Sequence, residues 1–402
     1  MTAPVPSPHA LGLSRSQWET LLESWGAPAF RGRQAFDAIH RRGARSAASI
    51  HELPRGLRER LEREMPIGLP EIVRREVSRD GSVKYGVRLG DGALVEAVYM
   101  PGDRRDSEVN EFEDARAVRG ESFPSPPPSP GGNGSRGPGR FTVCLSSQTG
   151  CAVDCAFCVT GRLGGGRNMT AGEIIGELYA VVDDVGRSPE GLRVVFMGMG
   201  EPFLNPEGVL GALDVLFEIL PARNVTVSTS GITPAFETFA ARPIRPNLAV
   251  SLNAADSETR AALMPITRVY PLDGLIGAMR AWPLEPRRRV TVEYVLIAGR
   301  NDSPEQARRL ARLLRGIRAK VNVIPLNEDP VYLAGWKRPD EAVIDRFAAA
   351  LKGAGVPVTV RRSRGPDASA ACGQLKGRTE DPRKRISGPG RKVIPEKRGP
   401  SA

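Results

Sequence analysis

The second half of the sequence alternates buried-strand patterns with helical patterns. From about residue 140, runs such as RFTVCL, LRVVFMG, NVTVSTSG and NLAVSLNA are each followed by a stretch with helical periodicity, and this pair recurs about six times. Such alternation places consecutive strands parallel, with helices packed on the sheet. We therefore expect an α/β fold, with its chemistry on the loops at the carboxyl ends of the strands.

The region before this series divides into three parts. Residues 1–80 are predicted as a small helical domain, because SRSQWETLLESW and the segments after it repeat apolar residues at helical spacing. Residues 81–101 alternate apolar and polar residues around a Gly-Asp-Gly turn, which predicts a β-hairpin. Residues 102–139 include FPSPPPSPGGNGSRGPGR, and this composition cannot form a core, so a disordered insertion is predicted.

The positive charge of the chain is concentrated at its end. The formal net charge is +11, and residues 361–402 hold 12 lysines and arginines against 4 acidic residues. A basic surplus of this kind indicates a polyanionic partner such as RNA or DNA. A solvated tail that only aids solubility has the same composition. Residues 378–402 are predicted to form this basic disordered tail.

The sequence also allows a prediction of the cellular compartment and of membrane contact. The start of the chain lacks a basic stretch followed by an apolar one, so no signal peptide is predicted. No window approaches the length of uninterrupted apolar sequence that a membrane-spanning helix requires. The five cysteines are odd in number and mostly clustered, which is typical of metal binding or catalysis in a reducing compartment. We therefore expect a cytoplasmic protein without membrane contact.

Four of the five cysteines fall within the segment CLSSQTGCAVDCAFC. Cys151, Cys155 and Cys158 have the spacing C-x3-C-x2-C in the loop after the first parallel strand. Structural zinc is the weaker alternative, because it requires four Cys or His ligands and all 3 histidines lie in the N-terminal region. Three packing cysteines fit poorly with a polar loop flanked by glycine. An iron–sulfur cluster with three thiolates fits best, and it leaves one iron open for a substrate or cofactor.

The cysteine spacing, with the aromatic Phe157 before the last cysteine, resembles the signature of the radical SAM superfamily. In that superfamily the open iron of a 4Fe–4S cluster binds S-adenosylmethionine (SAM), which is cleaved to a 5′-deoxyadenosyl radical. The segments SSQTGCAVDCAFCVTG, MGMGEPFLN, VTVSTSGITP, VNVIPLN and SRGPDASAACGQL resemble, in the same order, those of the RlmN/Cfr family of RNA adenine methyltransferases. The resemblance implies a partial (β/α)6 TIM-like barrel over residues 140–377, with a small helical N-terminal domain and a β-hairpin adaptor.

The same resemblance implies a role for every cysteine. The ligands of the 4Fe–4S cluster would be Cys151, Cys155 and Cys158. Cys372 would carry a methyl group, because a thiolate is readily methylated by SAM whereas carbon 2 or 8 of adenine is not a nucleophile. Cys144 would release the methylated RNA from its adduct with Cys372, leaving a transient disulfide that cellular reductant resets. Glu96 matches the family's proton acceptor or active-site acid.

The implied SAM contacts are Gly200, Glu201, Ser228, Ser251, Leu252, Asn253 and Asn327. Gly200 and Glu201, in GMGEP, are expected to receive the ammonium group, because a carboxylate suits a cation and glycine allows close approach. Taken singly, the serines are as well explained as hydroxyls that cap their own turns. The family usually has SLHA where this chain has SLNA. Asn253 keeps the hydrogen-bonding capacity of histidine but cannot titrate near neutral pH.

The resemblance also implies partners. RlmN-like members methylate carbon 2 of an adenosine in 23S ribosomal RNA and, in some cases, in tRNA, whereas Cfr-like members methylate carbon 8. The segments FRGRQ and RRGARS resemble the RlmN-type RNA-binding module, so carbon 2 is expected. The alternatives are carbon-8 methylation, a diverged paralogue acting on another RNA, and a non-catalytic iron–sulfur RNA-binding protein. We also expect a monomer that receives electrons from a donor such as flavodoxin or ferredoxin.

Overall fold

The computed structural model describes residues 9–102, 139–361 and 373–375. The predicted insertion, apart from its two ends, the predicted basic tail and Cys372 lie outside the described residues. Within the described ranges, no helix has the length and apolar character needed to span a membrane.

The N-terminal region is helical, as its periodicity predicts. Its helices are α1 (Arg15–Ser24), α2 (Phe30–His40) and α3 (Arg55–Glu64). Helix α1 begins with a capping box, in which Ser14 and Gln17 each accept a hydrogen bond from the other's backbone N–H. Helices α1 and α2 cross closely at Gly32. Trp18 of α1 and Phe36 of α2 are fully buried in the hydrophobic core.

A buried polar contact fixes this helical region to the rest of the molecule. The His40 Nδ1 atom lies 2.8 Å from the hydroxyl of Tyr179, and Arg45 forms two hydrogen bonds of 2.8 and 3.0 Å with the Asp183 carboxylate. Burial lowers the pKa of His40 to about 3, so the imidazole is neutral at physiological pH. The contact between His40 and Tyr179 therefore docks the helical region without a charge on the imidazole.

Within the described residues, ten strands form one sheet, in the order of the sequence. Three antiparallel strands come first: β1 (Glu71–Val77), β2 (Val83–Arg88) and β3 (Leu94–Pro101). The parallel strands are β4 (Phe141–Cys144), β5 (Leu192–Phe196), β6 (Val225–Thr229), β7 (Asn247–Ser251), β8 (Val290–Leu296), β9 (Ala319–Pro325) and β10 (Val358–Val360). Among these strands β1 and β10 are the two edges, so the sheet is open. The predicted α/β class is confirmed, and the sheet of these ten strands is not closed into a barrel. Strand β1 lies within residues 1–80, which were predicted to be helical, and it adds a third strand to the predicted hairpin.

Helices connect the parallel strands. They are α4 (Val159–Leu163), α5 (Ala171–Asp184), α6 (Pro206–Ile219), α7 (Thr233–Ala240), α8 (Ser257–Leu263), α9 (Leu272–Ala281), α10 (Pro304–Leu313) and α11 (Glu341–Gly353). Their apolar residues, such as Leu178, Leu213 and Phe347, are buried in one hydrophobic core with the strands. Sequence periodicity did not predict α4, α8, α9 or strand β1.

The hairpin continues the parallel sheet through antiparallel pairing of β3 with β4. Val98 lies opposite Cys144, and Pro101 lies opposite Phe141. Beyond these pairs, the residue after β3 and the residue before β4 lie very close together. A Cβ atom on Gly102 would lie 2.0 Å from the carbonyl oxygen of Arg140. The predicted insertion therefore leaves and re-enters the fold at one point.

The α1–α2 crossing predicts opposite effects for two glycines in helices. A Cβ atom on Gly32 would lie 2.4 Å from the backbone nitrogen of Glu19, whereas one on Gly56 in α3 meets nothing within 4 Å. Gly32→Ala should destabilise the protein by about 1–3 kcal/mol, because the helices must separate. Gly56→Ala should leave stability unchanged or raise it by up to about 1 kcal/mol. Urea unfolding of both variants tests this, and equal midpoints would contradict the crossing.

Candidate active site

The three clustered cysteines lie in the loop that joins β4 to α4. The loop is compact, because the backbone N–H of Cys151 donates to Gly164 O at 2.9 Å and that of Cys158 donates to Cys155 O at 3.0 Å. A side chain at Gly150 would not fit, since its Cβ would lie 2.7 Å from the same Gly164 oxygen. The loop therefore holds its three thiols in one small region at the carboxyl end of β4.

The electrostatics of this loop suit a positively charged metal group. Burial raises the pKa of all three thiols, and repulsion from neighbouring cysteine and Glu201 charges raises the pKa of Cys151 and Cys155 further. Such thiols become thiolates when they bind iron, whose charge reverses this effect. Within the described ranges, no three His, Cys, Asp or Glu side chains converge tightly enough for a single ion. Because a cluster takes one thiolate at each iron, the donor set fits an iron–sulfur cluster better than a mononuclear site.

Glu201 lies beside the cysteine loop with its carboxylate anchored. Its Oε1 accepts a hydrogen bond of 2.9 Å from the Phe203 N–H, and its Oε2 accepts bonds of 2.7 and 2.6 Å from the N–H and hydroxyl of Ser230. Burial nevertheless raises the pKa of Glu201. A cation placed next to it would offset this burial, so the site suits an ammonium group. Ser230 was not among the predicted site residues, although it stands in the STSG segment.

The glycine before Glu201 is required by close packing. Gly200 has φ +95°, and a Cβ atom there would lie 2.5 Å from the Cβ of Gln148. The Gln148 side chain in turn accepts a hydrogen bond of 2.8 Å from the Glu201 N–H and donates one of 2.8 Å to Asn168. Gln148 thus ties the loop after β5 to the segment just before the cysteines. Its position in SSQTGC is the signal that sequence reasoning could have used.

The other predicted SAM contacts stand at the ends of neighbouring strands. Ser228 is in β6 and Ser251 is the last residue of β7, opposite Glu293 of β8. Leu252 is fully buried, whereas Asn327, two residues beyond β9, is partly exposed. Since these strands are parallel, their carboxyl ends lie side by side at one end of the sheet. The cysteine loop follows β4 at the same end.

Asn253 is held by contacts within the protein. It has φ +59°, a left-handed conformation that asparagine tolerates better than most residues. Its side-chain oxygen accepts a hydrogen bond of 2.7 Å from the Val295 N–H, and its amide nitrogen lies 3.1 Å from the sulfur of Met264. Both ends of the amide are therefore used in shaping the turn after β7, which favours a structural role for this side chain.

An arginine that the sequence did not single out braces the same strand ends. Arg260 of α8 is fully buried. It donates hydrogen bonds to the carbonyl oxygens of Ser230 at 2.6 Å and Leu252 at 3.1 Å, and to the Thr267 hydroxyl at 2.7 Å. Burial lowers its pKa to about 10, so the guanidinium remains charged at neutral pH, where Cys155 and Glu201 lie within its electrostatic range.

Glu96 and Cys144 are neighbours across the β3–β4 junction. Cys144 is opposite Val98, two residues from Glu96, so the two side chains lie on the same face of the sheet. The Ser146 hydroxyl donates a hydrogen bond of 3.1 Å to the Glu96 carbonyl and accepts one of 3.1 Å from the Met199 N–H. The Ser146 N–H also donates to Glu177, whose pKa is raised to about 8 by burial. Ser146 therefore links the hairpin to the loop that carries Glu201.

The residues that follow Cys372 dock on the cysteine loop. The Val159 N–H, directly after Cys158, donates a hydrogen bond of 2.7 Å to Gly373 O. The Thr160 hydroxyl donates one of 2.7 Å to Leu375 O, and the Gln374 amide donates one of 3.1 Å to Glu328 O. Cys372 itself lies outside the described residues. The structure thus brings the segment of the fifth cysteine to the other four, although more than two hundred residues of sequence separate them.

The contacts of Arg260 predict a large loss of stability on its removal. Arg260→Met leaves buried carbonyl oxygens without donors, so the free energy of unfolding of the cluster-free protein should fall by about 3 kcal/mol. The exposed Arg280 of α9 provides the control, and Arg280→Met should change stability by less than about 0.5 kcal/mol. Urea unfolding measures both, and similar values for the two variants would contradict the bracing role.

Comparison with known proteins agrees with this arrangement. The Radical SAM superfamily matches residues 145–314. A probable dual-specificity RNA methyltransferase RlmN from Koribacter versatilis is 42% identical over 364 residues, which cover 89% of this chain and 99% of that protein. The corresponding enzyme from Syntrophobacter fumaroxidans is 40% identical over 88% of this chain and 95% of its own. The crystal structure of a radical SAM methyltransferase from Sphaerobacter thermophilus superposes with a TM-score of 0.78 at 38% identity, covering 93% of this chain and 100% of that one. The chain therefore belongs to the RlmN family of radical SAM methyltransferases.

Proposed function

We propose that this enzyme methylates carbon 2 of an adenosine in 23S ribosomal RNA and in tRNA, through a methyl group carried on Cys372. The observation that carries the proposal is the docking of Gly373 on Val159, since it ties the segment of Cys372 to the cysteine loop. A methyl carrier has to stand next to the place where SAM is bound. A packing cysteine would have no need of that location.

The side chains at the site suit a 4Fe–4S cluster and SAM. Cys151, Cys155 and Cys158 would hold a 4Fe–4S cluster, and the anchored Glu201 carboxylate would receive the ammonium of SAM. When bound, the cluster supplies the electron that cleaves SAM into methionine and a radical able to take hydrogen from a methyl group. An external donor such as flavodoxin or ferredoxin would supply that electron. The protein's own contribution is to hold these groups together at the carboxyl ends of the parallel strands.

The two remaining cysteines and Glu96 would divide the later steps. The methyl group on Cys372 would lose a hydrogen atom to the SAM-derived radical, and the resulting carbon radical would bond to the adenine ring, which links RNA covalently to the protein. The adduct radical would then give up one electron to the oxidised electron carrier as its ring carbon is deprotonated. Glu96 accepts the proton lost from the ring carbon. The Cys144 thiolate then attacks the Cys372 sulfur, so that a disulfide bond forms, the carbon–sulfur bond breaks and the freed carbon takes up a proton. The neighbouring positions of Glu96 and Cys144 on one sheet face support this order.

The RNA substrate is supported by the relatives and by charge. The curated relatives are named dual-specificity RNA methyltransferases, which fits two classes of RNA. The net charge of +11 suits a polyanion. Carbon 8 remains the alternative position, and mass spectrometry of ribosomal RNA from a deletion strain, which loses the modified nucleoside, distinguishes 2-methyladenosine from 8-methyladenosine.

The cluster assignment predicts the effect of losing one ligand. Cys155→Ala should lose the brown colour, most of the iron and SAM cleavage together, because two thiolates do not retain the cluster. Cys144→Ala is the matched control and should keep the iron content of the wild type. Iron and sulfide analysis after anaerobic reconstitution measures this. A Cys155→Ala protein with full iron content would rule out the assignment.

The different roles proposed for Cys372 and Cys144 predict that their substitutions stop the reaction at different steps. Cys372→Ala should form neither methylated protein nor RNA adduct, because the first SAM has no acceptor. Cys144→Ala should still attack the adenine and then stall with RNA bonded to Cys372. The adduct appears as a shifted band on a denaturing gel that ribonuclease collapses and dithiothreitol leaves intact, since a thioether is not reduced. Free methylated RNA at the wild-type rate from Cys144→Ala would refute the scheme.

A further inference from the structure

Four charged side chains lie together on one face of the three antiparallel strands. Arg74 and Glu76 are on β1, Lys84 is on β2 and Glu96 is on β3. Arg74 stands opposite Gly86, which stands opposite Glu96, and Glu76 stands opposite Lys84. Residues that are paired across strands share a face of the sheet, so all four side chains meet on the face that also carries Cys144.

The contacts within this group converge on the Glu96 carboxylate. The Arg74 guanidinium forms an ion pair with Glu96 Oε1, and the Lys84 ammonium lies 4.0 Å from the same oxygen. Glu76 bridges the two cations, at 3.1 Å from Arg74 Nε and 3.0 Å from Lys84 Nζ. The Glu96 side chain is 1% exposed and that of Lys84 is 3% exposed, so the pair is shielded from water.

The absence of a side chain at Gly86 gives Arg74 its path. Gly86 lies between the two residues in the cross-strand row. A Cβ atom there would lie 3.1 Å from the Cβ and 3.7 Å from the Nε of Arg74. The arginine side chain therefore passes directly over the Gly86 backbone, and a longer side chain at this position would occupy that space.

We propose that Arg74, assisted by Lys84, is a positioning residue that orients the Glu96 carboxylate for its role as proton acceptor. The proposal rests on the proposed function, in which Glu96 takes a proton from the RNA adduct. Breaking a buried ion pair leaves one charged group without its partner, so the orientation of a carboxylate at this place depends on the cations that contact it. The backbone at Glu96 is already fixed by the Ser146 hydroxyl, so the two cations act on the side-chain torsions that remain.

The neighbouring Arg75 provides a matched control on the same strand. Its side chain points to the opposite face, where Arg75 Nε lies 3.0 Å from Asp184 Oδ2, and it is 51% exposed. Arg74→Gln and Arg75→Gln remove the same charge from adjacent residues of β1. Because the Arg74 side chain is itself 30% exposed, its replacement should permit folding.

The test measures methylation and trapped adduct in the reconstituted holoenzyme, with RNA as substrate. Arg74→Gln should lower kcat by about tenfold, a part of the 100–10,000-fold that a general base contributes, and leave KM for RNA within about twofold. The fraction of enzyme covalently linked to RNA at steady state should rise, because proton removal becomes slow after the adduct has formed. Arg75→Gln should match the wild type in both measurements, and Arg74→Lys should restore most of the rate.

The outcomes separate this inference from the proposed function. If the wild type methylates RNA but Arg74→Gln shows the normal rate, or a lower rate without added adduct, the positioning role is wrong and the function stands. A lower rate in Arg75→Gln as well, with no adduct in either variant, would indicate a structural role of β1 and also overturn the positioning role. If the wild type forms neither methylated RNA nor adduct, the proposed function itself fails.

Discussion

The candidate active site of this protein depends on the antiparallel pairing of β3 with β4. This pairing joins two differently built parts, a meander of antiparallel strands and a series of parallel βα units, into one sheet. A shift of one residue would move Glu96 to the opposite face from Cys144, because side chains alternate along a strand. The Ser146 hydroxyl, which bonds across the same junction, helps to keep that register. The other groups of the site stand at the carboxyl ends of the parallel strands, which extend the sheet from β4 onward.

Much of the fold was predictable because most of the parallel strands are largely buried and read as apolar runs. Strand β1 and helix α8, which were missed, lack that signal. Strand β1 has the sequence EIVRREV and is largely exposed or half-buried, so its charged residues obscure its alternation. Helix α8 is only seven residues long, and its buried Arg260 resembles a solvent-facing residue in the sequence. Short or charged elements acquire their structure from tertiary contacts, which a local pattern does not contain.

Residues of the candidate site could be predicted where a local sequence pattern marks them, as with the secondary-structure elements. Motif residues such as Cys151, Glu201 and Ser251 could be proposed from the sequence because their spacing or their resemblance to a family marks them. Ser230 and Arg260 were not found, since each acts by bonding to the backbone or side chain of a group far away in the sequence. Asn253 shows the limit of reading residue type alone. Its hydrogen-bonding capacity was predicted, but the left-handed turn that uses this capacity is visible only in three dimensions.

The contact between Gly102 and Arg140 has an evolutionary consequence. Because the two ends already touch, the length of chain between them is decoupled from the register of the strands on either side. Each doubling of that length adds only about 0.6 kcal/mol of closure entropy. The segment can therefore change in length while the relative positions of Glu96 and Cys144 stay the same. The junction is a place where a lineage could acquire a new surface without altering the geometry of the candidate site.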